Sequence, residues 1–194
     1  MTPMVDLFFL LLTFFMLTTS FRPQEAVQVD TPKSISEKVS PDKNLMTIGI
    51  AKDNRIFFNI DNGKDSTQHI RKKLLIAMGQ YYGIKFTPEQ ASKFEKMSSF
   101  GMPIVKLPEW IDVEASKREK MQTGIPYDSI NNQLNTWVRL GRELNPNAEA
   151  AVKGDAGADY KVAKKVFDVL QSNNVNRFNL TTTLTKVEAQ LPPK

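Results

Sequence analysis

Between Pro3 and Phe21 the chain runs for nineteen residues with one ionisable side chain, Asp6, and the first positive charge comes only at Arg22. No other feature constrains the fold as strongly, because a run this apolar has few environments open to it. As a helix rising about 1.5 Å per residue it would be about 28 Å long, close to the ~30 Å hydrocarbon thickness of a bilayer. Thr2 and Pro3 supply a start signal, a hydroxyl at N-cap and a proline at N1. We therefore expect one transmembrane helix over residues 1–22. A cleavable secretory signal fits poorly: no Lys or Arg precedes the run, Asp6 stands where a positive n-region belongs, and the stretch exceeds a usual h-region.

Charge is concentrated in the rest of the chain, from Arg22 onward. Of the 21 acids one, Asp6, lies in the run, leaving 20 against 26 Lys and Arg and a net charge of +6. A basic balance raises nucleic acid as a partner. The clusters "IRKKLL", "SKREK" and "YKVAKK", however, interleave with apolar residues at helical spacing, and no nucleic-acid motif accompanies them, so we read them as solvated helix faces. The absence of cysteine excludes disulfides, thiolate catalysis and cysteine metal sites. His69, the single histidine, sits in "TQHIRKK" without convergent partners, which makes it a solvated helix residue rather than a ligand or base.

"GDAGAD" at 154–159 lacks the ligand count of an EF-hand and the Lys and Ser/Thr of a P-loop, and is read as a turn into a helix cap. "NLT" at 179–181 matches a glycosylation acceptor but falls in an expected strand. With no paired acids, nucleophile and base, or phosphate cradle, we expect no enzyme and no cofactor.

Residues 23–44, with Pro23, Pro32 and Pro41, read as a linker in which "EAVQVD" could form a short edge strand. A folded unit is expected over 45–191. Met46, Ile48 and Ile50, then a polar turn, then Ile56, Phe58 and Ile60, alternate as a β-hairpin with one apolar face. Ile70, Leu74, Ala77 and Tyr81 mark a helix capped by Asp65, Ser66 or Thr67.

Residues 83–146 read as a helical insertion: one helix starts from the Thr87–Pro88 cap, and another carries Ile130, Leu134, Trp137 and Leu140 or Gly141 on one stripe. Trp110, Trp137 and Phe100 are assigned to the core. Then come a strand at 148–155, a helix capped near Asp159 with Tyr160, Ala163, Phe167 and Leu170 inward, and a strand carrying Phe178, Leu180, Thr182 and Leu184 on one face. A strand, helix and strand of this length favour a βαβ crossover with parallel strands. The fold class is thus one N-terminal transmembrane helix followed by an α/β domain, a mixed sheet with packed helices and a C-terminal βαβ unit.

Asp6 holds the chemistry. Asp6, Thr13 and Ser20 are spaced by seven and share nearly one helix face. One account places the acid in the first turn, stabilised by the helix dipole at the membrane interface. The other notes that Asp at the centre of a span costs roughly 2.5–3.5 kcal/mol and that intramembrane acids usually face a partner or an aqueous path. Energy alone does not decide between them.

The segment "TPMVDLFFLLLTFFMLTTSF" followed by "VQVDTP" resembles the signature of the ExbD/TolR biopolymer-transport family: Thr-Pro, two residues, an acid, a Leu/Phe-rich span and an extended Val-rich strand. "AAVKGDAGADYKVAKKVFDVLQSNNVNRFNLTT" is similar to the family's second signature, a short strand ending in an acid, a Tyr-led helix and a final strand. The resemblance covers roughly residues 2–62 and 148–184. It implies a homodimeric, ExbD-like subunit, single-pass in the bacterial inner membrane and in contact with its lipid, with the C-terminal domain in the periplasm. Its helices would sit inside an ExbB- or TolQ-like pentamer. The membrane acid would carry protons, and the domain would pass the work to a TonB- or TolA-like protein that acts on the outer membrane. On this match Asp6 is the proton carrier; Thr13 and Ser20 are pore-lining hydroxyls on the strength of spacing.

The sequence departs from the family in two ways. Family members usually carry a polar cytoplasmic tail before Thr-Pro, whereas this chain starts at it, and we expect a shortened or misplaced start. Counting positive charges alone would put Arg22 and the lysines after it in the cytoplasm, but long domains translocate largely regardless of charge, so the family orientation is followed. The 83–146 segment is longer than the compact family domain needs. The alternatives are a TolR-like envelope-maintenance role, or a static anchor whose domain binds peptidoglycan or a peptide while Asp6 merely caps its helix.

Overall fold

The structure, a computed structural model, describes residues 2–18, 44–61, 68–128, 130–155, 157–175 and 178–182. Along the chain run α1 (Thr2–Thr18), β1 (Leu45–Ile50), β2 (Ile56–Asp61), α2 (Ile70–Tyr82), α3 (Pro88–Glu95), a 3-10 turn (Ile104–Lys106), α4 (Leu107–Asp112), α5 (Ala115–Met121), α6 (Gln133–Leu144), β3 (Glu149–Gly154), α7 (Tyr160–Ser172) and β4 (Phe178–Thr182). The expected strand around Val27 and Val29, the caps Asp65, Ser66 and Thr67, and Leu184 lie outside the described residues.

Alternation of apolar residues builds the sheet. β1 and β2 pair antiparallel with Met46 opposite Ile60, Ile48 opposite Phe58 and Ile50 opposite Ile56. All six side chains are buried on one face. The turn between them is closed by Asn54 in the left-handed region, φ 66°, a conformation asparagine tolerates better than most residues. β3 lies parallel to β1, with Ala150 beside Met46 and Val152 beside Ile48, and β4 lies parallel to β3. The order is β2-β1-β3-β4, a mixed four-stranded sheet ending in the expected strand, helix and strand.

Helices cover the apolar face. Leu74, Leu75 and Met78 of α2, Leu134, Trp137 and Val138 of α6, and Val162, Val166 and Leu170 of α7 join the strand residues in one core. At its centre Trp137 lies 4.7 Å from Phe100 edge to face, 6.1 Å from Phe58 and 6.4 Å from Phe94, measured between ring centroids. Side chains of this size, fully buried, stabilise the fold by roughly 1.5–3 kcal/mol each. Trp110 and Phe100 are buried too, so the core assignment of all three aromatics is met.

Local signals set the helix ends. Thr87 and Gln90 form the reciprocal capping box that Thr-Pro announces: Gln90 N–H donates to Thr87 Oγ1 at 3.2 Å, and Thr87 N–H donates to Gln90 Oε1 at 3.0 Å. Asp159 caps α7 by accepting from Lys161 N–H at 3.0 Å, and Asp155 accepts from Gly157 N–H at 2.9 Å, so "GDAGAD" is the turn and cap expected of it. α2 ends at Gly83, φ 72°, a left-handed position open to glycine.

Three helix faces differ from expectation. In α2 Tyr81 is 57% exposed while Leu75 and Met78 are buried. Ile130 precedes α6 and is fully exposed, leaving Leu134, Trp137 and Gly141 as the inward stripe. In α7 Tyr160 is exposed and Val162, Val166, Val169 and Leu170 are buried, whereas Ala163 and Phe167 are half-buried. Phe167 stacks on Phe178 at 5.1 Å. In α2 and α7 an aromatic residue suggests the inward stripe, whereas the helix turns neighbouring aliphatic residues to the core; in α6 the expected stripe holds apart from Ile130, which precedes the helix.

Candidate functional site

α1 carries the candidate site. Its 17 residues span about 25 Å at 1.5 Å per residue, and among the described residues no helix is long and apolar enough to cross a membrane. The helix expected over residues 1–22 is thus described only from Thr2 to Thr18, and Ser20 lies outside the described residues. Every side chain from Met4 to Leu17 is exposed, including Phe8, Phe9, Phe14 and Phe15. An apolar surface of this extent is stable only against lipid or partner helices.

Asp6 is exposed and has no side-chain hydrogen-bond or ionic partner among the described residues. The first turn of α1 contains no acid, because the helix starts at Thr2 and Asp6 falls one turn in. That weakens the capping account, since the dipole's effect fades beyond the first turn. Thr13 shares the face of Asp6 at a seven-residue spacing, about 10 Å along the axis. The two are aligned but out of contact. Thr13 Oγ1 instead donates to the Leu10 carbonyl at 2.9 Å, within its own helix.

The α/β domain holds no group of three or more His, Asp or Glu disposed to bind a metal, among the described residues. His69 is exposed, caps α2 in the left-handed region at φ 49°, and pairs through Nδ1 with Glu95. It ties α2 to α3 and faces no nucleophile.

Among the described residues Arg71, Tyr127 and Asp112 have shifted titration for structural reasons. Burial pushes the Arg71 guanidinium below its ordinary value, with Asp61 and Glu95 pulling it back. Burial, then Asp128 and Asp159, raise the Tyr127 phenol. Arg71 departs from the solvated face expected of "IRKKLL". It is largely buried and donates to Ile60 O at 2.6 Å, to Asn59 Oδ1 at 2.9 Å, to Glu95 O at 3.3 Å and to Met97 O. Nothing in the sequence marks it out from Lys72 and Lys73 except guanidinium chemistry, five donors in a rigid fork. The lysines of "YKVAKK" in α7, Lys161, Lys164 and Lys165, are exposed as expected of a solvated face.

The arrangement thus offers one isolated carboxyl on an apolar helix, joined in sequence to an α/β domain with a mixed sheet. No curated protein and no solved structure matches the chain. A family model described as biopolymer transport protein ExbD/TolR matches residues 1–185, taking in α1, its acid and all four strands. An acid-bearing apolar helix and a mixed-sheet domain are therefore matched as one unit rather than as two pieces, and the chain belongs to the ExbD/TolR biopolymer-transport family.

Proposed function

We propose that the chain is the proton-carrying subunit of an ExbB-ExbD-like motor in the bacterial inner membrane. The family's general role is biopolymer transport and energy transduction, and its members are transport subunits rather than enzymes. In this reading residues 1–22 cross the membrane once, the α/β domain stands in the periplasm, and two copies place their helices inside an ExbB- or TolQ-like pentamer. The domain passes work to a TonB- or TolA-like protein.

Asp6 carries the proposal. An ionised Asp is expensive in hydrocarbon, roughly 2.5–3.5 kcal/mol at a helix centre, and a protonated one far less so. Taking up a proton therefore lets the Asp6 face turn from a polar path toward apolar surroundings, and losing it reverses the preference. Cycling between the two states under a proton gradient biases rotation or rearrangement of the helix pair. Asp6 is the sole ionisable residue of α1, falls just past its first described turn and has an otherwise apolar helix around it, with Thr13 on its own face.

The test is Asp6→Asn, which keeps shape and removes ionisation. We expect uptake through TonB-dependent receptors to be lost while the chain still copurifies with its ExbB- or TolQ-like partner; normal uptake with the complex assembled would sink the proposal. Loss of detergent resistance with uptake intact would assign the TolR-like role. A static anchor would leave both phenotypes unchanged.

A further inference from the structure

Both edges of a sheet present unpaired backbone groups, and proteins that leave such edges bare invite a second copy to pair there. The β2 edge is the more dangerous of the two, because Ile56, Phe57, Phe58, Asn59 and Ile60 form an uncharged, aromatic and β-branched run. It is not bare. Phe58 N–H donates to Phe100 O at 2.8 Å and Phe100 N–H returns to Phe58 O at 3.0 Å. Ile125 N–H donates to Ile56 O at 2.9 Å, and Arg71 Nε donates to Ile60 O at 2.6 Å. The two limbs are themselves joined, Gly124 N–H to Gly101 O at 2.8 Å.

Two glycines let these limbs lie flat against the strand. A Cβ on Gly101 would come within 2.5 Å of Phe57 Cδ1 and 3.1 Å of Ile56 O. One on Gly124, whose φ is 90°, would meet Arg55 Cα and Ile56 N at 3.2 Å. Close approach and edge hydrogen bonding thus coincide on one segment, residues 100–125.

We infer that residues 100–125 form a built-in guard that occupies the β2 edge and bars a second copy of the chain from pairing with it. β4, the opposite edge strand among the described residues, serves as the internal comparison. This inference is independent of the proton-carrier reading.

The chain has no cysteine, so Asn59→Cys in β2 and Asn179→Cys in β4 each give one thiol for a short bismaleimide between copies; because Asn59→Cys gives up the bond from Arg71 Nη2, each release is compared with the same cysteine chain lacking it. Measurements use the full chain in detergent micelles, with and without Gly101→Val. Ile125→Pro serves as a second release: it removes the donor to Ile56 O and also exchanges a buried isoleucine side chain for the smaller proline ring. We expect either release to raise amide exchange at Phe58 and to increase linking at position 59 about tenfold, with linking at position 179 unchanged. Raised exchange without added linking at 59 would overturn the guard. So would equal rises at 59 and 179, which signal general association, or folded variants in which Phe58 exchange does not change.

Discussion

Arg71 and Asn59 are joined across the helix and sheet layers, Nη2 donating to Oδ1 at 2.9 Å, and the same guanidinium reaches the Ile60, Glu95 and Met97 carbonyls. One side chain thereby ties α2 to the rim of β2 and to the end of α3. Removing it strands several acceptors at once. We expect Arg71→Met to destabilise the domain by about 2–4 kcal/mol, since each buried acceptor left without a donor costs about 1–3 kcal/mol and some regain water. Arg71→Lys should recover only part, because a point charge cannot span the fork. Urea unfolding followed by the fluorescence of Trp110 and Trp137, both in the domain, measures it; a midpoint unchanged in Arg71→Met would refute the tie.

Asp112 is held by Lys93 Nζ at 2.9 Å and Gln90 Nε2 at 2.7 Å, and these hydrogen bonds, that from Lys93 first, keep its carboxyl below the ordinary 3.8. A carboxyl whose folded value is depressed contributes stability that is present above the unfolded value and is lost as pH falls through the folded one. The window is therefore acidic, below about pH 4, and at neutral pH the contribution is fully present and does not vary with pH. Carboxyl NMR titration should place the Asp112 midpoint under 3.8 in the parent chain and move it up in Lys93→Met. A midpoint that stays put would assign the shift elsewhere.

Trp137 is fully buried, and its Nε1 finds no hydrogen-bond partner among the described residues. Its contribution is therefore packing against Phe58, Phe94 and Phe100 rather than polar bonding. Trp137→Ala should destabilise by about 3–5 kcal/mol through the cavity it leaves. Trp137→Phe should cost appreciably less, about 1–2 kcal/mol, because it also removes an unsatisfied donor. Equal losses in the two variants would mean that the indole N–H does have a partner.

α7 separates the two kinds of apolar residue. Val166 is fully buried and Tyr160 is 74% exposed, although both belong to the helix's apolar set. Val166→Ala should cost about 1–2 kcal/mol and Tyr160→Ala under about 0.5 kcal/mol. The reverse order in thermal unfolding would show that the helix packs on its aromatic stripe after all.

That contrast shows how far the sequence could be read. Period-two alternation in 46–60 has one solution once a face is buried, since a slip of one residue would expose every apolar side chain, and the hairpin register follows. Caps at Thr87 and Asp159 are equally explicit, because each rests on local hydrogen bonds. Helix azimuth is weaker. A helix with valines at 162, 166 and 169 and aromatics at 160 and 167 has two adjacent apolar stripes, and only the packed sheet selects one. The bonds of Arg71 and the bridge between Phe58 and Phe100 were invisible for a different reason: they join residues 11–42 positions apart, mostly through backbone groups that carry no side-chain signature. At the candidate site, the Asp6 and Thr13 alignment could be read from spacing, but the absence of an acid from the first turn depended on where the helix begins.

Thr13 gives the sharpest separation between lining the Asp6 face and relaying a proton. Its hydroxyl donates to the Leu10 carbonyl at 2.9 Å, a bond made within the helix that leaves the hydrogen committed away from Asp6. Seven residues apart, the two groups are about 10 Å distant along the axis, too far for direct transfer. Thr13→Val keeps the β-branched shape and deletes the hydroxyl. If Thr13 only lines the face, the variant should lower energy-dependent uptake by no more than about fivefold, the worth of one neutral hydrogen bond of about 1 kcal/mol. Asp6→Asn in the same assay should abolish it. A Thr13→Val loss as complete as that of Asp6→Asn, with the complex assembled, would make the hydroxyl an obligatory partner of the acid and require the helix to adopt a geometry in which its bond to Leu10 is broken.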